Sequence, residues 1–117
     1  MTLSTLTDIY WLAGILEGGG CLEVSTCRGI NRTRTVLKIR VSMSDRDIVE
    51  RCHAIARVGT VYKTKSRVGR KDIYVWQVSN QKNTAALMMT VYSIMGTRRQ
   101  QKIQECLTAW RQYKGQQ

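Results

Sequence analysis

This sequence predicts an α+β domain in which a helix and an antiparallel hairpin alternate twice and two further helices follow. Three observations predict it. Four segments carry apolar residues at helical spacing, and four others alternate apolar and polar side chains with a period of two. The strand-like segments come in pairs, each pair joined by a short basic stretch containing glycine. At 117 residues with 43% apolar residues, the chain has the size and composition of a single domain, 1–117.

The first helix, over residues 8–17, sets Ile9, Leu12, Ala13 and Leu16 at i, i+3, i+4 and i+7, with Thr7 placed to cap it. Its other side, Tyr10, Trp11, Gly14, Ile15 and Gly18, is also nearly free of charge. A helix apolar all round must be buried on more than one side, so this one needs a partner besides its own core. Residues 21–27 alternate Leu22, Val24 and Thr26 with Glu23, Ser25 and Cys27, and 28–32 turn the chain. The return strand, 34–42, sets Leu37, Ile39 and Val41 against Arg34, Val36, Lys38, Arg40 and Ser42, giving one face for a core and one that is basic.

Ser44 and Asp47 open the second helix, with Ile48, Cys52, Ile55 and Ala56 as its buried stripe. A second strand pair covers 60–65 and 72–78. In the latter, Tyr74 and Trp76 on one side and Ile73, Val75 and Gln77 on the other make equally good core faces. A third helix over 83–95 breaks at Gly96, and a last helix capped by Thr97 carries the stripe Ile103, Cys106, Leu107, Trp110. Proline is absent, so the turns rely on Gly, Asn and Ser.

Nineteen Lys and Arg against eight Asp and Glu give a net charge of +11, which suits a polyanionic partner, nucleic acid before an anionic membrane. No apolar run approaches the length of a membrane span, and the start lacks signal-peptide character, so an intracellular location is expected: cytoplasm, nucleoid or organelle. The four cysteines have no paired spacing for a zinc ribbon or a disulfide framework. On one strand Cys21 and Cys27 would stand about 20 Å apart, too far to bridge. His53 beside Cys52 has no companion ligands nearby and reads as a packed helix residue.

The segment Trp11-Leu12-Ala13-Gly14-Ile15-Leu16-Glu17-Gly18-Gly19-Gly20 resembles the motif of the LAGLIDADG homing endonucleases. The element order is similar to that family's αββαββα core with a curved antiparallel sheet, here with an extra C-terminal helix. The resemblance implies that motif helices of two units pack together, with Trp11, Ala13, Gly14 and Gly18 at the contact. Small residues let backbones approach closely. One motif per chain then implies a homodimer; the alternative is that Gly14 and Gly18 accommodate a neighbour within the chain. The implied partner is double-stranded DNA with a partly palindromic site, since each subunit presents the same ribbons. Ser25, Cys27, Arg34, Lys38 and Arg40 are the candidates for base and phosphate contacts on the outward faces. Arg28 and Arg32 at the first tip, with Lys63, Lys65, Arg67, Arg70 and Lys71 around the second, suit phosphates.

The family's activity is metal-dependent double-strand cleavage, in which an acid at the end of each motif helix binds Mg2+ or a similar divalent cation. Alignment puts Glu17 on the first acidic position and Gly19 on the second, where the metal ligand belongs. Glu17 lies about 200° around the helix from Gly19 and is poorly placed to replace it. The alignment also sets Met43 near the polar position that ends the second strand, and Arg98 and Arg99 beside the scissile region, where they could neutralise phosphate but not accept a proton. The expectation is therefore a sequence-specific DNA-binding homodimer with impaired cleavage. The alternatives are a non-enzymatic DNA-binding regulator and an RNA-splicing, maturase-like factor.

Overall fold

The structure, a computed structural model, describes residues 5–29, 32–64 and 69–114. Its order is α1 (Leu6–Gly19), β1 (Gly20–Gly29), β2 (Arg32–Met43), α2 (Arg46–Ala56), β3 (Thr60–Thr64), β4 (Ile73–Val78), α3 (Gln81–Tyr92) and α4 (Thr97–Lys114). The strands form one antiparallel sheet in the order β1-β2-β4-β3.

Local chemistry explains where the elements begin. Thr5, not Thr7, caps α1: its hydroxyl accepts from the Asp8 N–H, and the Asp8 carboxylate accepts from the Thr5 N–H. At α2 Asp45 takes the N-cap position instead of Ser44 and makes no side-chain cap hydrogen bond. Asn80 caps α3 by accepting from the Asn83 N–H, so the helix starts two residues before the expected Asn83 and ends at Tyr92. α1 runs into β1 without a linker. Gly20 makes this possible, because a Cβ there would sit 2.7 Å from the Leu16 Cα.

All four helices contribute to one core against one face of the sheet. Leu22, Leu37, Ile39, Val41, Trp76 and Val78 from the strands meet Leu12 and Leu16 of α1, Val49 and Cys52 of α2, Met88 and Val91 of α3, and Ile103 and Cys106 of α4. Each large apolar side chain buried here contributes about 1.5–3 kcal/mol. Val49 joins Cys52 and Ile55 as the buried stripe of α2, with Ile48 and Ala56 only partly buried. The register settles β4: Trp76 pairs with Val41 and Val61 and is buried, its indole N–H donating to the Val58 carbonyl at 3.0 Å. Tyr74 is on the same side, under the Arg46 guanidinium. Past Val78 the ladder is continued by a side chain. Gln81 accepts from the Leu37 N–H at 2.6 Å and donates to the Leu37 carbonyl at 3.1 Å. Among the described residues no helix is long and apolar enough to cross a membrane.

Candidate nucleic-acid interface and active site

Because strand side chains alternate, packing one face of the sheet fixes what the other presents. On the uncovered face β1 supplies Cys21, Glu23 and Ser25, and β2 supplies Arg34, Val36, Lys38, Arg40 and Ser42. β4 adds Ile73, Val75 and Gln77, and β3 adds Thr60, Tyr62 and Thr64. Register aligns Cys21, Arg40, Gln77 and Thr60 in one row across all four strands. Tyr62 donates to the Gln77 side-chain carbonyl at 3.2 Å, and Arg40 stands 3.6 Å from the Glu23 carboxylate. Arg34, Arg40, Ser25 and Ser42 are exposed, and Lys38 half-buried.

Of the basic residues expected around the second ribbon, Arg70 and Lys71 are exposed beside the start of β4. Lys63 pairs with Tyr74 in register, which puts it on the helix-covered side, and its ammonium lies 3.0 Å from Asp72. That contact holds the Lys63 pKa above its ordinary value. The side chains of Cys27, Arg28 and Arg32, and Lys65 and Arg67 altogether, lie outside the described residues.

The second face of α1 is open. Leu6 is 69% and Tyr10 54% exposed, and a Cβ built at Gly14 or Gly18 would meet nothing within 4 Å. No neighbour within the described chain therefore requires those two glycines. Ala13, which the sequence set both in the core stripe and at the implied helix contact, is part of the chain's own core, and Trp11 is half-buried with the Arg51 guanidinium 4.1 Å above its ring. The face left for a partner is Leu6, Tyr10, Gly14 and Gly18, a row at four-residue spacing.

At the end of α1 the structure brings together two positions that the sequence put near the chemistry. A Cβ on Gly19 would lie 3.7 Å from the Met43 Cε. Glu17 is directed elsewhere: its Oε1 accepts from the Gly96 N–H at 2.9 Å, and its Oε2 lies 3.8 Å from the Arg99 Nε. Arg99 also donates to the Glu17 main-chain carbonyl at 3.3 Å. A Cβ at Gly96 would crowd Glu17 Oε1, so a side chain there would have to shift the end of the Glu17 side chain. Arg99 Nε and Glu17 Oε2 are buried without a hydrogen bond among the described residues, and Arg99, with the exposed Arg98 and with Lys102, lines a cleft of about 430 Å³ between the start of α4 and Gly20–Glu23 of β1. A divalent ion such as Mg2+ needs oxygen ligands. Gly19 offers no side chain, Met43 offers a thioether, and Glu17 is engaged with α4; these residues do not fit such an ion. Among the described residues no group of three or more His, Cys, Asp or Glu could hold a metal.

The sequence reading did not single out Gln77, Tyr62, Glu23 or Lys102. Gln77 was obscured by the two equivalent alternations in β4, and with it the face of Tyr62, which pairs with Val75 from β3. Glu23 was legible as an outward residue, and its sign within a basic face was the available signal.

No protein-family profile and no curated protein matches the sequence. Solved structures do match. I-CeuI, a group I intron-encoded homing endonuclease complexed with DNA, gives a TM-score of 0.74 at 13% identity over 98% of this chain and 59% of that one. I-AabMI, a LAGLIDADG meganuclease bound to uncleaved DNA, gives 0.72 at 16% identity over 92% of this chain and 37% of that one. I-CvuI in complex with its target, in the presence of Ca, gives 0.67 at 17% identity over 87% and 69%. This chain thus spans about three fifths of I-CeuI. Four helices on a four-stranded antiparallel sheet, entered through the motif at 11–20, make this the fold of the LAGLIDADG homing endonucleases.

Proposed function

We propose that two copies of this chain bind one duplex DNA site sequence-specifically, and that strand cleavage, the activity named for the proteins of this fold, is impaired in it. The observation that carries the binding reading is the uncovered face of the sheet. Arg34, Lys38 and Arg40 stand on it among polar neighbours, while the opposite face is committed to the core. A two-stranded ribbon fits the major groove, where outward side chains meet base edges and phosphates. The exposed row on α1 supports pairing of two copies, since the open space at Gly14 and Gly18 would admit a second backbone. The impairment rests on Gly19 and Met43, neither of which supplies a side-chain oxygen where the resemblance sets a divalent-metal ligand.

The test begins with selection from random duplex DNA by the full chain. The expected product is a partly palindromic site whose affinity falls steeply with salt, by a slope of roughly 0.9 per phosphate neutralised on a log–log plot. The selected duplex is then incubated with the parent chain and with Gly19→Asp, with Mg2+ and with chelator. The parent is expected to leave it intact and Gly19→Asp to cleave it only with metal. Enrichment of structured RNA over duplex would overturn the DNA reading, and metal-dependent cleavage by the parent would overturn the impairment.

A further inference from the structure

Glu23 is the one carboxylate among the described strand residues on the uncovered face. In a chain of net charge +11, an acid on the surface that would face phosphates opposes the attraction everything around it supplies. Within the fold Glu23 pairs in register with Lys38 and lies diagonal to Arg40, and such cross-strand charge pairs contribute only about 0.2–1 kcal/mol. Glu23 and Arg40 are 39% and 44% exposed, and ion pairs that open contribute little to stability.

Glu23 is nonetheless held in place. Its Oε1 accepts from the Cys21 thiol at 3.1 Å and lies 3.6 Å from an Arg40 terminal nitrogen. Burial and the neighbouring carboxylate push the Cys21 thiol up, which keeps it a protonated donor. The Arg40 separation is longer than a hydrogen bond, so Glu23 does not consume the guanidinium N–H groups. Cys21 and Arg40 face each other in register, and Glu23 is the diagonal neighbour of Arg40 on β1, so the pair spans one ribbon. An acceptor and a donor fork thus stand side by side and point away from the core. The major-groove edge of a C·G pair carries the complementary pattern: the N4 amino donor of cytosine beside the O6 and N7 acceptors of guanine.

We propose that Glu23 and Arg40 act as one unit that reads a C·G base pair in each half-site. This rests on the reading above that the uncovered face lies in the major groove. The carboxylate then serves discrimination rather than affinity, since it repels phosphate at every sequence and is offset only where a cytosine amino group meets it.

The experiment is selection of binding sites from random duplex DNA by the full chain and by Glu23→Ala, Glu23→Gln, Arg40→Ala and Glu50→Ala. Glu50→Ala removes the same charge from α2, on the opposite side of the sheet from the uncovered face. The parent is expected to select an invariant C·G pair once per half-site. Glu23→Ala should relax that position roughly tenfold, while binding non-specific duplex more tightly than the parent. Glu23→Gln, which adds an amide donor, should admit adenine there. Arg40→Ala should relax the same position, and Glu50→Ala should keep the parent's site. A selected site without an invariant C·G pair, or one unchanged in both Glu23 variants, overturns the proposal while leaving duplex binding intact. Failure of the parent to enrich any duplex overturns the DNA reading itself.

Discussion

Replacing Glu17 by alanine tests whether this residue is a strut or a ligand. Its carboxylate accepts from the Gly96 N–H at 2.9 Å, and a hydrogen bond to a charged group contributes about 1.5–3 kcal/mol. The side chain is 42% exposed, so water can replace part of that bond, and the lower end applies. The Arg99 ion pair, at 3.8 Å, adds less than about 1 kcal/mol. Arg99 is only 19% exposed but keeps its bond to the Glu17 main-chain carbonyl, so the substitution does not orphan the whole guanidinium. The sum is about 2 kcal/mol, which for a domain of this size lowers the melting temperature by about 8 °C. Glu17→Gln keeps an acceptor oxygen and loses only the charge, so it should cost about half as much. Urea unfolding of the three proteins at one matched concentration measures this, concentration being fixed because association contributes to apparent stability. A loss below about 0.5 kcal/mol for Glu17→Ala, within the ordinary scatter of surface substitutions, would refute the strut and return Glu17 to the candidate metal ligands.

Three further outcomes follow from the same geometry. A Cβ at Gly14 meets no described atom within 4 Å, and Gly14→Leu improves helix propensity by about 0.8 kcal/mol, so a solitary chain should gain stability. A chain paired through α1 should instead sediment at the monomer mass with its helical circular dichroism kept, and an unchanged dimer mass would remove α1 from the interface. Gln81→Ala strips both hydrogen bonds from the Leu37 backbone, costing about 1–3 kcal/mol, and should accelerate exchange of the Leu37 amide more than that of Ile39. Burial pushes the Cys52 thiol up from 9.0 to about 11, so the folded chain holds this proton more tightly than the unfolded one. Stability from that difference is complete below pH 9 and is lost as pH rises towards 11. Cys52→Ala should therefore show a shallower alkaline decline in urea midpoint than the parent, and equal slopes would contradict it.

The order of helices and strands was legible because period alone separates a helix stripe such as Leu12, Ala13, Leu16 from a strand face such as Leu37, Ile39, Val41. What escaped depends on contacts between distant segments. Tyr74 and Trp76 could not be assigned a face from their own strand, since both alternations are apolar; the Val58 carbonyl, 18 residues away, receives the Trp76 indole. Gly96 read only as a helix break, and its N–H contact with Glu17 comes from 79 residues earlier. Ala13 and Gly14 were grouped as small residues at one contact, yet one is core and the other open; composition describes size but not direction. Asp45 displaced Ser44 at the start of α2 although neither the hydroxyl nor the carboxylate makes a cap bond, and nothing in the structure explains that choice.

Gly19 and Gly20 are adjacent, but they answer to different constraints, and the difference bears on what this chain kept. A Cβ at Gly20 would fall 2.7 Å from Leu16 Cα and 2.8 Å from its Cδ2, so the passage from α1 into β1 forbids any side chain there. At Gly19 the nearest atom to such a Cβ is the Met43 Cε at 3.7 Å, an ordinary van der Waals contact with the end of a flexible side chain. The fold therefore requires one glycine and tolerates the other. A carboxylate at residue 19 would stand against Met43 without displacing the backbone, so its absence is not imposed by packing. Packing therefore constrains Leu12, Leu16 and Gly20 but leaves room for a side chain at residue 19.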